Sequence, residues 1–162
     1  MTRPFLWFEN EAEEAAKFYT AIFKNSRIKT ISRYGDEGVG PEGKVMLVVF
    51  ELDGEEFMAI NMYRPVEKLA NGVGGPSFYI TCETQAEIDH FRERLLADGG
   101  ETNVCGWLTD KFGIAWNVVP ASLDAVMRQA ESEAARRAFK AVLQMEKLDI
   151  RAIEEAVNAT VT

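Results

Sequence analysis

Two stretches of this chain share one pattern, and that pattern constrains the fold more than any other feature. They are "PFLWFENEAEEAAKFYTAIF", starting at Pro4, and "PSFYITCETQAEIDHFRERLL", starting at Pro76. Each reads as a short apolar strand, a polar cap and an amphipathic helix. In the first, Ala12, Ala15, Ala16 and Tyr19 recur at i, i+3, i+4, i+7, and Phe18, Ile22 and Phe23 widen that face. In the second, Ile88, Phe91, Leu95 and Leu96 form the stripe. Asn10 with Glu13, and Thr84 with Glu87, have the spacing of capping boxes. Asn25 suits a left-handed helix end, and Gly99-Gly100 stops the second helix.

Strands follow each helix. Ser26 to Gly35 alternates, and Asp53-Gly54 is a primed two-residue turn between β-rich runs. Val45–Leu52 is apolar on both faces, which predicts that both are covered. In the second half, "ETNVCGWL" and "GIAWNVVP" read as strands. The chain is therefore predicted to be a single α+β domain over 1–162, with one βαβββ module over 4–64 and another over 76–120. A Gly/Pro-rich connector, Pro65 to Pro76, joins them. Such a module does not close alone; two form a curved, mostly antiparallel sheet with helices on its outer face. Residues 121–162 read as a helical extension, with Ala135, Ala138, Phe139, Val142 and Leu143 on one face and "KLDIRAIEEAV" as a short last helix.

Composition narrows the function. Hydrophobic residues make up 47% and charged residues 27% of the 162 residues, an ordinary globular balance. No apolar run approaches the ~18 residues of a membrane helix. A formal net charge of −8 argues against nucleic acid, whose phosphates need clustered Lys and Arg. Arg3 is the only early basic residue and acids appear by Glu9, so no secretory signal is expected. Cys82 and Cys105 are then expected to be reduced thiols in a cytoplasmic protein.

Several motifs look chemical and read better as structure. "GVGPEG" at 38–43 matches a nucleotide-loop pattern, but it precedes a strand rather than a helix, and Pro41 removes a donor. The single histidine, His90, sits mid-helix and is expected to face solvent. Glu9, Glu11, Glu13 and Glu14 suit a helix N-terminus. Cys105 has no base candidate nearby beyond Asp110 and Lys111, which read as turn residues, and is expected as a buried thiol on a strand. Trp107 and Trp116 flank a turn and are expected to pack across the hairpin.

Taken in order, "PFLWF", "AEEAAKFYTAIFKNS", "FELDGEEFMAIN", "CGWLTDKFGIAWNVVP" and "LQMEKLDI" resemble the PhnB-like branch of the vicinal oxygen chelate (glyoxalase/bleomycin-resistance) superfamily. The resemblance covers nearly the whole chain and implies paired βαβββ modules and a homodimer. Members of this branch often carry a 3-demethylubiquinone methyltransferase label. Superfamily enzymes hold a divalent metal, and carrying those ligand positions onto this chain reaches the neighbourhood of Pro4, Asn61 or a residue beside it, Ser77 and Asn117. None offers an imidazole or carboxylate, so no metal centre is expected; nor does a cofactor motif appear. The loop after Asn61, "MYRPVEKLANGVGG", departs from the branch, so ligand identity does not carry over.

If Ser77 and Asn117 face the concave side, alternation adds Tyr79 and Ala115, with Asn61, Ala59, Leu6 and Phe8 on the same reasoning. That lining suits a small, partly apolar ligand, and equally a filled core or a dimer interface. No catalytic residue is identified. The preferred reading is a metal-independent small-molecule binder. A superfamily enzyme, either lyase/dioxygenase or methyltransferase, and a non-catalytic dimeric scaffold are the alternatives.

Overall fold

A computed structural model of the chain describes residues 2–36, 39–66, 76–129 and 131–159. Most of the expected connector, and Gly38 of the glycine motif, lie outside these. The chain divides into two compact units, residues 1–67 and 68–162.

The first unit contains β1 (Phe5–Phe8), α1 (Ala12–Ile22), β2 (Arg27–Arg33), β3 (Val45–Leu52) and β4 (Glu55–Asn61). Its four-stranded sheet has the order β1-β4-β3-β2. β1 runs parallel to β4, and the other pairs are antiparallel. Asp53 and Gly54 turn β3 into β4 with φ of 51° and 84°, the left-handed pair that a primed hairpin requires. The small residues Ala12, Ala15 and Ala16 are fully buried and let α1 lie close on the sheet. Tyr19 stacks on Phe50, which stacks on Phe57. Asn25 takes the expected left-handed conformation, with φ of 46°.

The start of α1 differs from expectation. Asn10 does not cap it; Glu11 holds the cap position and makes no side-chain cap bond. The helix donor is met instead by Asn61, whose Oδ1 accepts from the Ala12 N–H at 2.8 Å. Asn61 Nδ2 donates to Val45 O at 3.1 Å, and its own carbonyl accepts from the Tyr34 hydroxyl at 2.8 Å. A cap supplied from 49 positions away leaves no local signature, which is why Asn10 looked like the cap.

The second unit repeats the order: β5 (Ser77–Cys82), α2 (Gln85–Leu96), β6 (Glu101–Thr102), β7 (Trp107–Thr109) and β8 (Ala115–Pro120). Its sheet runs β5-β8-β7-β6, the same topology as the first. Here the expected cap holds: Thr84 accepts from the Glu87 N–H at 3.2 Å, and Glu87 accepts in turn from the Glu83 N–H. Gly100 N–H closes on Leu96 O at 3.0 Å, as a glycine stop should. The buried stripe of α2 is Ile88, Arg92 and Leu95, with Phe91 only half-buried. Arg92 reaches inward because its guanidinium donates to Thr102 Oγ1 on β6 at 2.7 Å.

"ETNVCGWL" is not one strand. Cys105 and Gly106 have φ of 61° and 79° and break it into β6 and β7. Cys105 therefore lies in a turn, half-buried, not on a strand. A Cβ at Gly106 would stand 2.6 Å from Val118 O, so only glycine fits.

Beyond Pro120 come α3 (Ala121–Met127), α4 (Glu133–Val142) and α5 (Ile150–Asn158). Val119, Leu123, Ala138, Val142, Leu148 and Ile153 pack into one cluster that joins these helices to the end of β8. Phe139 and Leu143, expected on the buried face of α4, are exposed instead. Arg137 draws α4 to α5 by donating to Ala156 O and Val157 O, the last carbonyls of that helix.

Replacing Asn61 with Ala should lower unfolding stability by about 2 kcal/mol, because a helix donor and a buried carbonyl lose their partner together. Urea denaturation with an unchanged m-value measures it. A loss below about 0.5 kcal/mol would contradict this role.

Candidate functional site

The two faces of each sheet have different fates. In the first unit, Leu6 is registered with Ala59 and Phe8 with Asn61, and Val48 with Ala59 on the next strand. All lie on the face that α1 covers, with Phe50 and Phe57, and all are buried. The expectation that Leu6, Phe8, Ala59 and Asn61 line a concave face is corrected accordingly. The reason is parity. "PFLWF" is apolar at every position, so alternation alone did not say which set the helix would cover. The opposite face presents Phe5, Trp7, Met58 and Ile60, with Phe5 and Trp7 about half exposed and in edge contact at 6.1 Å. It ends in a charged ladder. Glu56 binds Arg3 and Lys29, while Glu51 binds Lys29 and Arg27. The hydrogen bond between Lys29 and Glu56 is the main cause that raises the lysine and lowers the carboxyl from their usual values.

In the second unit the expected residues do come together. Ser77 is registered with Ala115, and Tyr79 with Asn117. Strand alternation puts all four on one face. The other face is the one α2 covers, since Arg92 meets Thr102 there. Thr102 is in register with Leu108, and Leu108 with Trp116. Trp116 packs on Phe78 on that side at 5.2 Å. Trp107 is registered with Asn117, so it stands on the Asn117 face. The two tryptophans therefore point to opposite sides of the hairpin and do not pack together, contrary to expectation. Adjacent positions on paired strands differ in parity, and counting from the turn would have placed Trp107 beside Asn117.

Asn117 thus lies between Tyr79 and Trp107 at 6% exposure. Its Nδ2 donates to Cys105 O at 2.9 Å. Its Oδ1 accepts from no donor among the described residues. Tyr79 is about half exposed and faces α3. Its phenol is pushed up to about 12, first by burial and then by the charge and hydrogen bond of Asp124, while Arg128 draws it partly back. Arg128 Nε holds Asp124 Oδ2 at 3.0 Å. Burial alone pushes up the Cys105 thiol, the reverse of what a nucleophile needs.

Asp110 is a turn residue. Its Oδ1 accepts from the Phe112 and Ile114 N–H groups, and its Oδ2 accepts from Trp116 Nε1 at 2.8 Å. Gly113, with φ of 83°, closes the turn onto Asp110 O. Lys111 lies over the Phe112 ring. The acid, not the lysine, makes the bonds that hold the hairpin turn.

The positions that carry metal ligands in superfamily enzymes do not fit a metal here. Pro4 has no donor side chain, and both polar atoms of Asn61 are engaged with the backbone under α1. Ser77 and Asn117 supply a neutral hydroxyl and amide in the other unit. Among the described residues, no three His, Cys, Asp or Glu side chains converge. His90 is exposed on α2, its ring against Phe91. No helix among the described residues is long and apolar enough to cross a membrane.

Two units of identical βαβββ order, each sheet carrying one helix on one face, define the α+β fold of glyoxalase and bleomycin-resistance proteins. Solved structures agree. The chain is 39% identical to the PhnB protein from Bacillus cereus, with a TM-score of 0.65, over 74% of this chain and 98% of that one. A protein from Pseudomonas aeruginosa matches at 23% identity and TM-score 0.58, over 74% and 98%. The fosfomycin resistance protein FosX from Listeria monocytogenes shares the fold at 14% identity and TM-score 0.54, over 77% and 93%. No curated protein matches the chain. A model of the family described as 3-demethylubiquinone-9 3-methyltransferase matches residues 1–119, and the chain belongs to that PhnB-like family.

Two outcomes check this geometry. Asp110→Ala should cost about 3 kcal/mol in chemical denaturation, with Asp110→Asn between it and wild type, because Asn keeps one acceptor oxygen. Tyr79 should titrate near 12 in an absorbance difference between wild type and Tyr79→Phe. The sign follows from the raised value: its stabilising contribution is complete below about pH 10 and lost as pH rises to about 12. A Tyr79 titration at the ordinary value would contradict the placement against Asp124.

Proposed function

We propose that this chain is a metal-independent binder of a small, partly apolar molecule, using the face of the second sheet that bears Ser77, Tyr79, Ala115 and Asn117, with Trp107 beside them. The observation that carries the reading is Asn117. It is nearly buried between two aromatic side chains and keeps a carbonyl oxygen that no described donor meets. Buried polar atoms in proteins are normally hydrogen-bonded, and an open acceptor on an aromatic-walled face suits a ligand. Leu6, Phe8, Ala59 and Asn61 have no part in it, being packed beneath α1. We further infer a cytoplasmic homodimer. The exposed apolar side chains of Phe5 and Trp7 on one unit, and of Phe139 and Leu143 on the other, favour burial against a second copy.

A second reading is methyl transfer, favoured by the description of the family that the chain matches. Against it stands the segment 39–43, which leads into β3 and not into a helix that would face a cofactor phosphate or carboxylate.

Native mass spectrometry of untagged protein should release a small organic molecule, and chelator should leave the thermal midpoint unchanged. A stoichiometric transition metal would overturn the metal-independent reading. Calorimetric titration with S-adenosylmethionine should give no heat; binding would favour methyl transfer. Sedimentation should give twice the chain mass, and a monomer at micromolar concentration would refute the dimer.

A further inference from the structure

On the second unit's ligand face, acceptors and carboxylates outnumber fixed donors, which are the Trp107 indole N–H and the second N–H of Asn117 Nδ2. Asn117 Nδ2 is committed to Cys105 O, and the Cys105 backbone is itself held by its N–H donating to Met145 O at 2.7 Å. The amide therefore cannot turn over without breaking an established bond, and Oδ1 is the atom it offers. Among the described residues, the only fully buried side-chain nitrogen or oxygen without a partner is Arg92 Nη1. Oδ1, which no described donor reaches, is therefore not wholly sealed from the surface, although the residue is largely buried. The Tyr79 phenol lies beside the Asp124 carboxylate, whose charge helps to raise it. Glu101 is registered with Thr109, and Thr109 with Ala115, so its carboxylate stands at the edge of the same face. Asp124 lies beside the face with Arg128, the cation nearest to Tyr79, already paired to it at 3.0 Å.

We propose that this face selects a small, partly apolar molecule carrying a protonated amine and discriminates against anions. The ammonium group donates to Asn117 Oδ1, and the Tyr79 and Trp107 rings flank it. Aromatic faces attract a cation within about 6 Å of the ring centre. An anion in that place meets the Asn117 oxygen and nearby carboxylates, and among the described residues of the face no cationic side chain stands to hold it. The Trp107 indole N–H is a neutral donor and the Ser77 and Thr109 hydroxyls turn either way, so they do not reverse the preference. The net charge of −8 adds a long-range bias of the same sign. This inference rests on the proposed reading that the face binds a small molecule.

The test uses the whole chain and three probes that share a phenyl body: 2-phenylethylamine, 2-phenylethanol and 3-phenylpropionate. Each is titrated while amide and indole resonances are followed by NMR. The amine should shift the Trp107 indole and Asn117 side-chain signals and bind at least about tenfold tighter than the carboxylate, a difference of about 1.4 kcal/mol. The alcohol should fall between them. Asp124→Asn, at a half-buried position of α3 beside Tyr79, should reduce the preference, and added salt should narrow it. If the carboxylate shifts the same signals as strongly as the amine, the amine preference is wrong and the ligand face survives. If no probe shifts Trp107 or Asn117, or the shifts fall elsewhere, both are wrong.

Discussion

Each βαβββ module in this protein has one helix of its own, and that helix covers one face of its sheet. Everything about the candidate site depends on which face that is. In the first unit α1 seats its alanines on the face of Phe50, Phe57 and Ala59. In the second, α2 takes the face of Trp116, Leu108 and Thr102, while α3–α5 pack over Val119 at the end of the face that bears Asn117. The faces left over differ in chemistry. The first bears Phe5 and Trp7 beside a ladder of paired charges, and the second bears Tyr79, Asn117 and Trp107.

Two equivalent asparagines show how the same residue type serves opposite ends. Asn61 and Asn117 each sit in the strand that pairs parallel with the first strand of its unit. Asn61 falls on the helix side, and its amide joins the start of α1 to β3. Asn117 falls on the other side, spends only its nitrogen on the Cys105 turn, and keeps its oxygen. A one-position difference in parity separates a structural cap from a candidate ligand contact.

The stretch that looks most reactive in the sequence is architecture. Asp110 gathers two backbone N–H groups and an indole N–H, and by doing so sets where β7 ends and β8 begins. The Cys105-Gly106 pair turns the chain into β7 with left-handed backbone, and Gly106 admits no side chain because Val118 O lies against it. These turns hold Trp107 and Asn117 side by side.

The repeated strand–cap–helix pattern determined the α+β class, the βαβββ order, the helix faces of Ala12 to Tyr19 and the Asp53-Gly54 turn, because each depends on residues within a few positions of one another. The grouping of Ser77, Tyr79, Ala115 and Asn117 was legible too, since it needs only alternation along two strands. Tertiary structure alone decided what distance in sequence conceals. The cap of α1 comes from Asn61, Arg92 turns inward to meet Thr102, and Phe139 and Leu143 stay outside. It also decided that Leu6, Phe8, Ala59 and Asn61 lie beneath a helix. A strand apolar at every position carries no mark of which side will be covered; only the helix that lands on it supplies one.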